Sequence, residues 1–118
     1  MMRVITYLDP KVWFLENPHA LLGTRKFMQQ YAKFKNSCTY CRYGMPYRKE
    51  TDIWTNVQVS LRHCDEAPCA ARAAFGKHLR TAQAGPTSSG TPGTPRDVAY
   101  KVPVPLLQDL FRSAAKYL

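Results

Sequence analysis

The chain has 118 residues, enough for one small domain in which about two thirds of the extended-chain surface is buried on folding. Hydrophobic residues make up 45% and aromatic residues 12%, which excludes a disordered polymer, while a net charge of +9 and a pI near 9.7 favour polyanionic partners such as nucleic acid. No run approaches the roughly 18 consecutive apolar residues of a membrane span, and the N-terminus lacks the charged-then-apolar layout of a secretory signal, so the sequence reads as an intracellular protein with no membrane partner.

In chain order, residues 1–8 carry the apolar spacing of a short helix, which Asp9-Pro10 stops. Residues 11–15 read as a buried strand that ends abruptly in Glu16, Asn17 and Pro18. A second helix is predicted from Thr24, as cap, to Lys35, with Phe27, Tyr31 and Phe34 as its core stripe. Residues 37–43 and 52–59 read as strands separated by a Gly44-Met45-Pro46 turn; the alternation of Ile53, Thr55, Val57 and Val59 supports the second. Residues 85–97, GPTSSGTPGTPRD, have the composition of a flexible linker. Beyond it, residues 98–118 lead through a proline-punctuated stretch into a closing helix whose Leu106, Leu110, Ala114 and Tyr117 line one face in need of a partner surface. The organisation is thus a body over 1–84, a linker over 85–97 and a closing helix over 98–118, in the order of an α/β protein. No glycine-rich turn of the nucleotide-binding kind follows the first strand.

Charge is unevenly distributed. No acid occurs between Glu16 and Glu50, whereas Arg25, Lys26, Lys33, Lys35, Arg42, Arg48 and Lys49 all do. One side of the molecule is therefore predicted to be positive, with Arg25, Lys26, Arg42, Arg48 and Lys49 as candidate DNA contacts among interleaved tyrosines.

The four cysteines, without a secretory signal, read as reduced thiols or metal ligands. Cys38, Cys41, Cys64 and Cys69 form two pairs with the look of a four-thiolate zinc site. A regular strand over 37–43 opposes this, because residues three apart point to opposite faces. Cys41, Cys64 and Cys69 with either His63 or His78 avoid that conflict, and the remaining alternative is that the thiols are small core residues.

Three strings in order resemble one family, the DNA (cytosine-5) methyltransferases, and its phage-type branch in particular. KVWFLENP, residues 11–18, resembles the family's Glu-Asn motif at a strand end; YGMPYRKETDIWTN, residues 43–56, is similar to its Tyr-Gly-x-Pro-Gln-x-Arg-x-Arg segment; and YKVPVPLLQDL, residues 100–110, is similar to its closing motif. The resemblance implies part of a Rossmann-like methyltransferase sheet and methyl transfer from S-adenosylmethionine to cytosine in DNA. Glu16 would contact N3 and the exocyclic amine of a flipped-out cytosine while a cysteine thiolate attacks C6, and Asn17 would anchor the turn or touch the base.

The departures are equally specific. Only eleven residues precede Val12, which leaves no room for the family's cofactor-binding turn or its prolyl-cysteine nucleophile, and Pro68-Cys69 lies on the wrong side of the Glu-Asn motif. Tyr47, Lys49 and Thr51 stand where the middle motif has glutamine and two arginines. The expectation is a C-terminal half that is inactive alone, completed by a separate N-terminal half carrying S-adenosylmethionine, or else a non-catalytic DNA-binding module, with zinc as a candidate metal. A third role, as a subunit, would dock the closing helix on another protein.

Overall fold

The computed structural model describes residues 1–118. Three strands, β1 (Phe14–Pro18), β2 (Lys35–Thr39) and β3 (Glu50–Thr55), form one sheet in the order β1-β3-β2. Both pairings are antiparallel, with Glu16 opposite Ile53 and Asn36 opposite the same Ile53 on the other side. β1 and β2 therefore run in the same direction with β3 reversed between them. The protein is a small α/β domain on an antiparallel sheet. Five helices accompany it: α1 (Met2–Leu8), α2 (Lys26–Gln29), α3 (Ala70–Phe75), α4 (Arg96–Ala99) and α5 (Val104–Ala115). No helix is long and apolar enough to cross a membrane.

Because both faces of the sheet are covered, the central strand is apolar or satisfied throughout, and Thr51 to Thr55 are all buried. On one face Ile53 and Cys38 pack with Tyr40, Tyr43, Tyr47, Leu106 and Leu110. On the other, Trp54 packs with Met2 and Met28, flanked by Ile5, Trp13, Leu15 and Phe34. Each side chain reaches its face by the two-residue alternation of a strand.

Several elements differ from the sequence reading. The first strand begins at Phe14, not Lys11, because Asn56 intercepts the chain before it. The Asn56 side chain accepts from Trp13 N and donates to Lys11 O, tying 11–13 down by one amide in place of a ladder. The helix predicted over 24–35 is one turn, α2, between 3₁₀ turns at Leu22–Thr24 and Ala32–Phe34. Thr24 does not cap it, since its hydroxyl donates back to Leu21 O, and Lys35 already belongs to β2. Tyr31 and Phe34 pack against the core as predicted, but Met28 is buried in place of the exposed Phe27. The strand predicted over 37–43 stops at Thr39, where Tyr40 N turns to Arg48 O and a 3₁₀ turn, Tyr40–Tyr43, ends on Gly44 at φ +93°.

α5 matches the predicted closing helix, but its face is already taken: Leu106 and Leu110 are buried in this chain's own core, which removes the surface that a docking subunit would use. Tyr43 fastens the helix, donating to Asp109 Oδ2 at 3.0 Å while accepting from Arg62 N. The segment 85–97 folds back on the chain before it. Thr81 N bonds Pro92 O, Thr94 N bonds Gln83 O and the buried Thr94 hydroxyl donates to Thr81 O. Gly93 is needed there, because a Cβ would lie 2.6 Å from the carbonyl oxygens of Ala84 and Gly85.

Candidate functional site

Glu16 is the middle residue of β1, not its tip, and its side chain is exposed. On the same face of the sheet, the Tyr40 hydroxyl donates to Glu16 Oε1 at 3.5 Å. Burial, and after it the Glu16 carboxylate, pushes the Tyr40 phenol well above its ordinary range, so it remains a donor at neutral pH. Asn17 turns to the opposite face and its amide donates only to Pro18 O, at 3.1 Å. The two residues of the Glu-Asn pair are thus not brought to one site.

The Asn17 face carries a charged network that the sequence reading missed. Asp52 is 1% exposed, and His19 Nδ1 lies 2.9 and 3.0 Å from its two carboxylate oxygens. His19 Nε2 is 3.4 Å from Glu50 Oε2, and Glu50 Oε1 is 3.5 Å from His63 Nε2. Since His63 Nδ1 accepts from Asp65 N at 3.1 Å, the neutral ring carries its proton on Nε2, toward Glu50. Glu50 and Asp52, two apart on β3, share a face by alternation and were readable as such. His19 joins them only through the pairing of β1 with β3.

The candidate DNA-contacting residues divide into two groups. Arg25 and Lys26 are exposed, have no ion pair or side-chain hydrogen bond, and stand with exposed Lys33 and Lys35 in the acid-free stretch. Arg42, Arg48 and Lys49 are committed within the fold. Arg42 donates to His63 O and Ala67 O; Arg48 pairs with Asp65 at 2.9 Å and Glu50 at 3.2 Å; Lys49 bonds Ala99 O and lies over the rings of Tyr40 and Tyr100.

The cysteines also divide. Cys38 is wholly buried in the tyrosine-rich core beneath α5, where burial, followed by the charges of Asp52 and Glu16, pushes its thiol up to about 12. Cys41, placed in the 3₁₀ turn, packs instead with Cys64 and Cys69. The sulfurs of Cys41 and Cys69 and a ring nitrogen of His78 all lie within 4.8 Å of one another, and Cys64 Sγ is 3.8 Å from His78 Nε2. Burial works to raise the Cys64 thiol, but hydrogen bonds from Arg48, Thr39, Cys41 and Arg72 outweigh it and leave it lowered. The four cysteines are therefore not brought together: Cys38 sits in a different core, and His78 lies beside the other three.

No family model matches the chain, and no solved structure matches it. It is similar to the probable DNA (cytosine-5)-methyltransferase of Frog virus 3 (isolate Goorha), with 28% identity over 121 residues that cover 92% of this chain and 52% of the viral protein. The chain resembles a DNA cytosine-5 methyltransferase. It spans about half the length of the curated relative it matches.

Proposed function

We propose that these residues are the C-terminal half of a DNA cytosine-5 methyltransferase of the phage-type branch, which contributes the base-contacting carboxylate Glu16 and acts together with a cofactor-binding half. What carries the reading is that similarity to the viral methyltransferase runs through 92% of the chain, with Glu16 exposed in an edge strand. An exposed carboxyl on β1 can share a proton with N3 of a cytosine and accept a hydrogen bond from its exocyclic amine. That interaction makes C6 electrophilic, and it strengthens as attack proceeds. Tyr40 supports it by holding Oε1 from the inner side.

The sheet supports the same reading. Parallel outer strands joined by a crossover, with a reversed strand between them, fit one end of a mixed, Rossmann-like sheet. No backbone hydrogen bond outside the β1–β3 ladder reaches residues 14–18, so the outer edge of β1 is free to pair with further strands.

S-adenosylmethionine does not fit the residues present. No glycine-rich turn follows β1, and Cys69, the sole prolyl-cysteine, is buried among the other thiols. Cofactor and nucleophile belong to the other half. An alternative, a non-catalytic DNA-binding module, is favoured by the unpaired cations at Arg25 and Lys26. The deciding experiment mixes this chain with the half of the frog virus protein that it does not match and follows labelled methyl transfer to cytosine-containing DNA. Transfer that requires both chains supports the enzyme reading, and DNA binding without transfer supports the module.

A further inference from the structure

We propose that Cys41, Cys64, Cys69 and His78 form a structural zinc site that clamps residues 62–79 onto the turn following β2. This inference is independent of the methyltransferase reading. The four side chains come from separate pieces of chain: Cys41 from the 3₁₀ turn, Cys64 from the 63–67 turn, Cys69 from the residue preceding α3, and His78 from the loop after it.

The distances suit a tetrahedral ion. Zinc–sulfur bonds of about 2.3 Å and zinc–nitrogen bonds of about 2.0 Å place ligand atoms roughly 3.5–3.8 Å apart. Cys64 Sγ and His78 Nε2 are already at 3.8 Å, and the Cys41 and Cys69 sulfurs lie within 4.8 Å of each other and of a His78 ring nitrogen. Three thiolates and an imidazole are soft and borderline donors, which select zinc over magnesium or calcium, and a set of four leaves no open position for chemistry.

The surroundings complete the site. Three thiolates around a dication leave one net negative charge, and the Arg48 guanidinium lies against it with Nε 3.4 Å from Cys64 Sγ. Thr39 Oγ1 accepts from Cys64 N at 2.9 Å and is 3.3 Å from Cys41 Sγ, so its proton is free to point at a Cys41 thiolate. Arg42 and Arg72 bond the carbonyls of His63, Ala67 and Cys64 and hold the ligand-bearing turn. The region also lacks another source of stability. Between β3 and α4 the single regular element is the six-residue α3, and the local core consists of three cysteines with Ala71 beside them. Small modules of this kind gain folding energy directly from the metal.

The test uses the full 118-residue chain with its thiols reduced. Elemental analysis after purification in zinc-containing buffer is expected to give one zinc per chain. Cobalt titration is expected to give tetrahedral d–d bands with a thiolate-to-cobalt charge-transfer band, both abolished by zinc. Cys38→Ala should retain the metal, while Cys69→Ala and His78→Ala should each weaken it by more than about 100-fold, beyond the effect of losing an outer-shell partner. His78→Cys should restore binding with charge-transfer intensity raised by a fourth thiolate, which keeps the test decisive if an alanine variant does not fold. No stoichiometric zinc, iron in its place, a cobalt spectrum without the thiolate band, or metal loss in Cys38→Ala equal to that in Cys69→Ala would each overturn the proposal.

Discussion

Glu16 and Asn17 are neighbours in β1 and stand on opposite faces of the sheet: Glu16 beside the Tyr40 hydroxyl, Asn17 in the row of Asp52 and Ser37. Only one of them can address a base, and Glu16 is the one proposed for that role. Asn17 makes one local hydrogen bond, to Pro18 O, so Asn17→Ala is expected to change stability by no more than about 1 kcal/mol. Urea denaturation of the two proteins checks this; a much larger loss would show that the amide has a further partner.

His19 is the sole side-chain partner of the buried Asp52 carboxylate. His19→Ala leaves that carboxylate stranded, and the expected loss is about 2–3 kcal/mol at neutral pH, reduced from the range for fully buried pairs because His19 is half exposed. The urea midpoint should fall accordingly at an unchanged slope. An unaltered midpoint would show that the pair contributes nothing.

Part of the fold was legible from composition and local pattern: α1 and the α5 face follow from periodicity, whereas the strand expected over 52–59 runs instead from Glu50 to Thr55 and leaves Val57 and Val59 outside it. The failures share a cause. The extent of β1, the breaking of the 24–35 helix and the end of β2 at Thr39 are each fixed by a partner far along the chain: Asn56, the crossover that must bring β2 back beside β3, and Arg48. The same holds for the sites. The sequence pattern pointed to the four cysteines, with His63 or His78 as a variant, and separating Cys38 from the others required knowing that the chain turns at Tyr40. His19 was invisible, because its meaning depends entirely on strand pairing.

Cys38 is one of two buried thiols, with Cys41, that limit stability at alkaline pH. Its thiol ionises near 9 in the unfolded chain and is pushed up to about 12 in the fold by burial first and then by Asp52 and Glu16. Between those values the unfolded state has lost a proton that the folded state keeps, so stability is full below pH 9 and declines as pH rises toward 12. The buried phenols of Tyr40 and Tyr43, also raised chiefly by burial, add to the decline at higher pH. Urea unfolding at a series of pH values should show Cys38→Ala losing stability less steeply above pH 9 than the parent, by on the order of 1 kcal/mol per pH unit. Parallel curves would contradict this.

The free cations and the committed ones should behave differently toward DNA. Removing Arg25 and Lys26 together is expected to flatten the dependence of log affinity on log salt by about 1.8, roughly 0.9 for each lost phosphate contact, without altering stability. Arg48→Ala, which breaks the bonds to Asp65, Glu50 and Cys64, should instead lower the unfolding midpoint. Anisotropy titrations on duplex DNA at several salt concentrations distinguish the two; an unchanged slope in the Arg25/Lys26 variant would move the positive face elsewhere.

The most direct measurement of the central claim is the rate of labelled methyl transfer by the reconstituted two-chain mixture with Glu16→Gln in place of the parent. A fall of about 100-fold or more is expected from loss of a general acid–base group, with DNA affinity retained. Turnover equal to the parent's would contradict the assignment of Glu16 to the base.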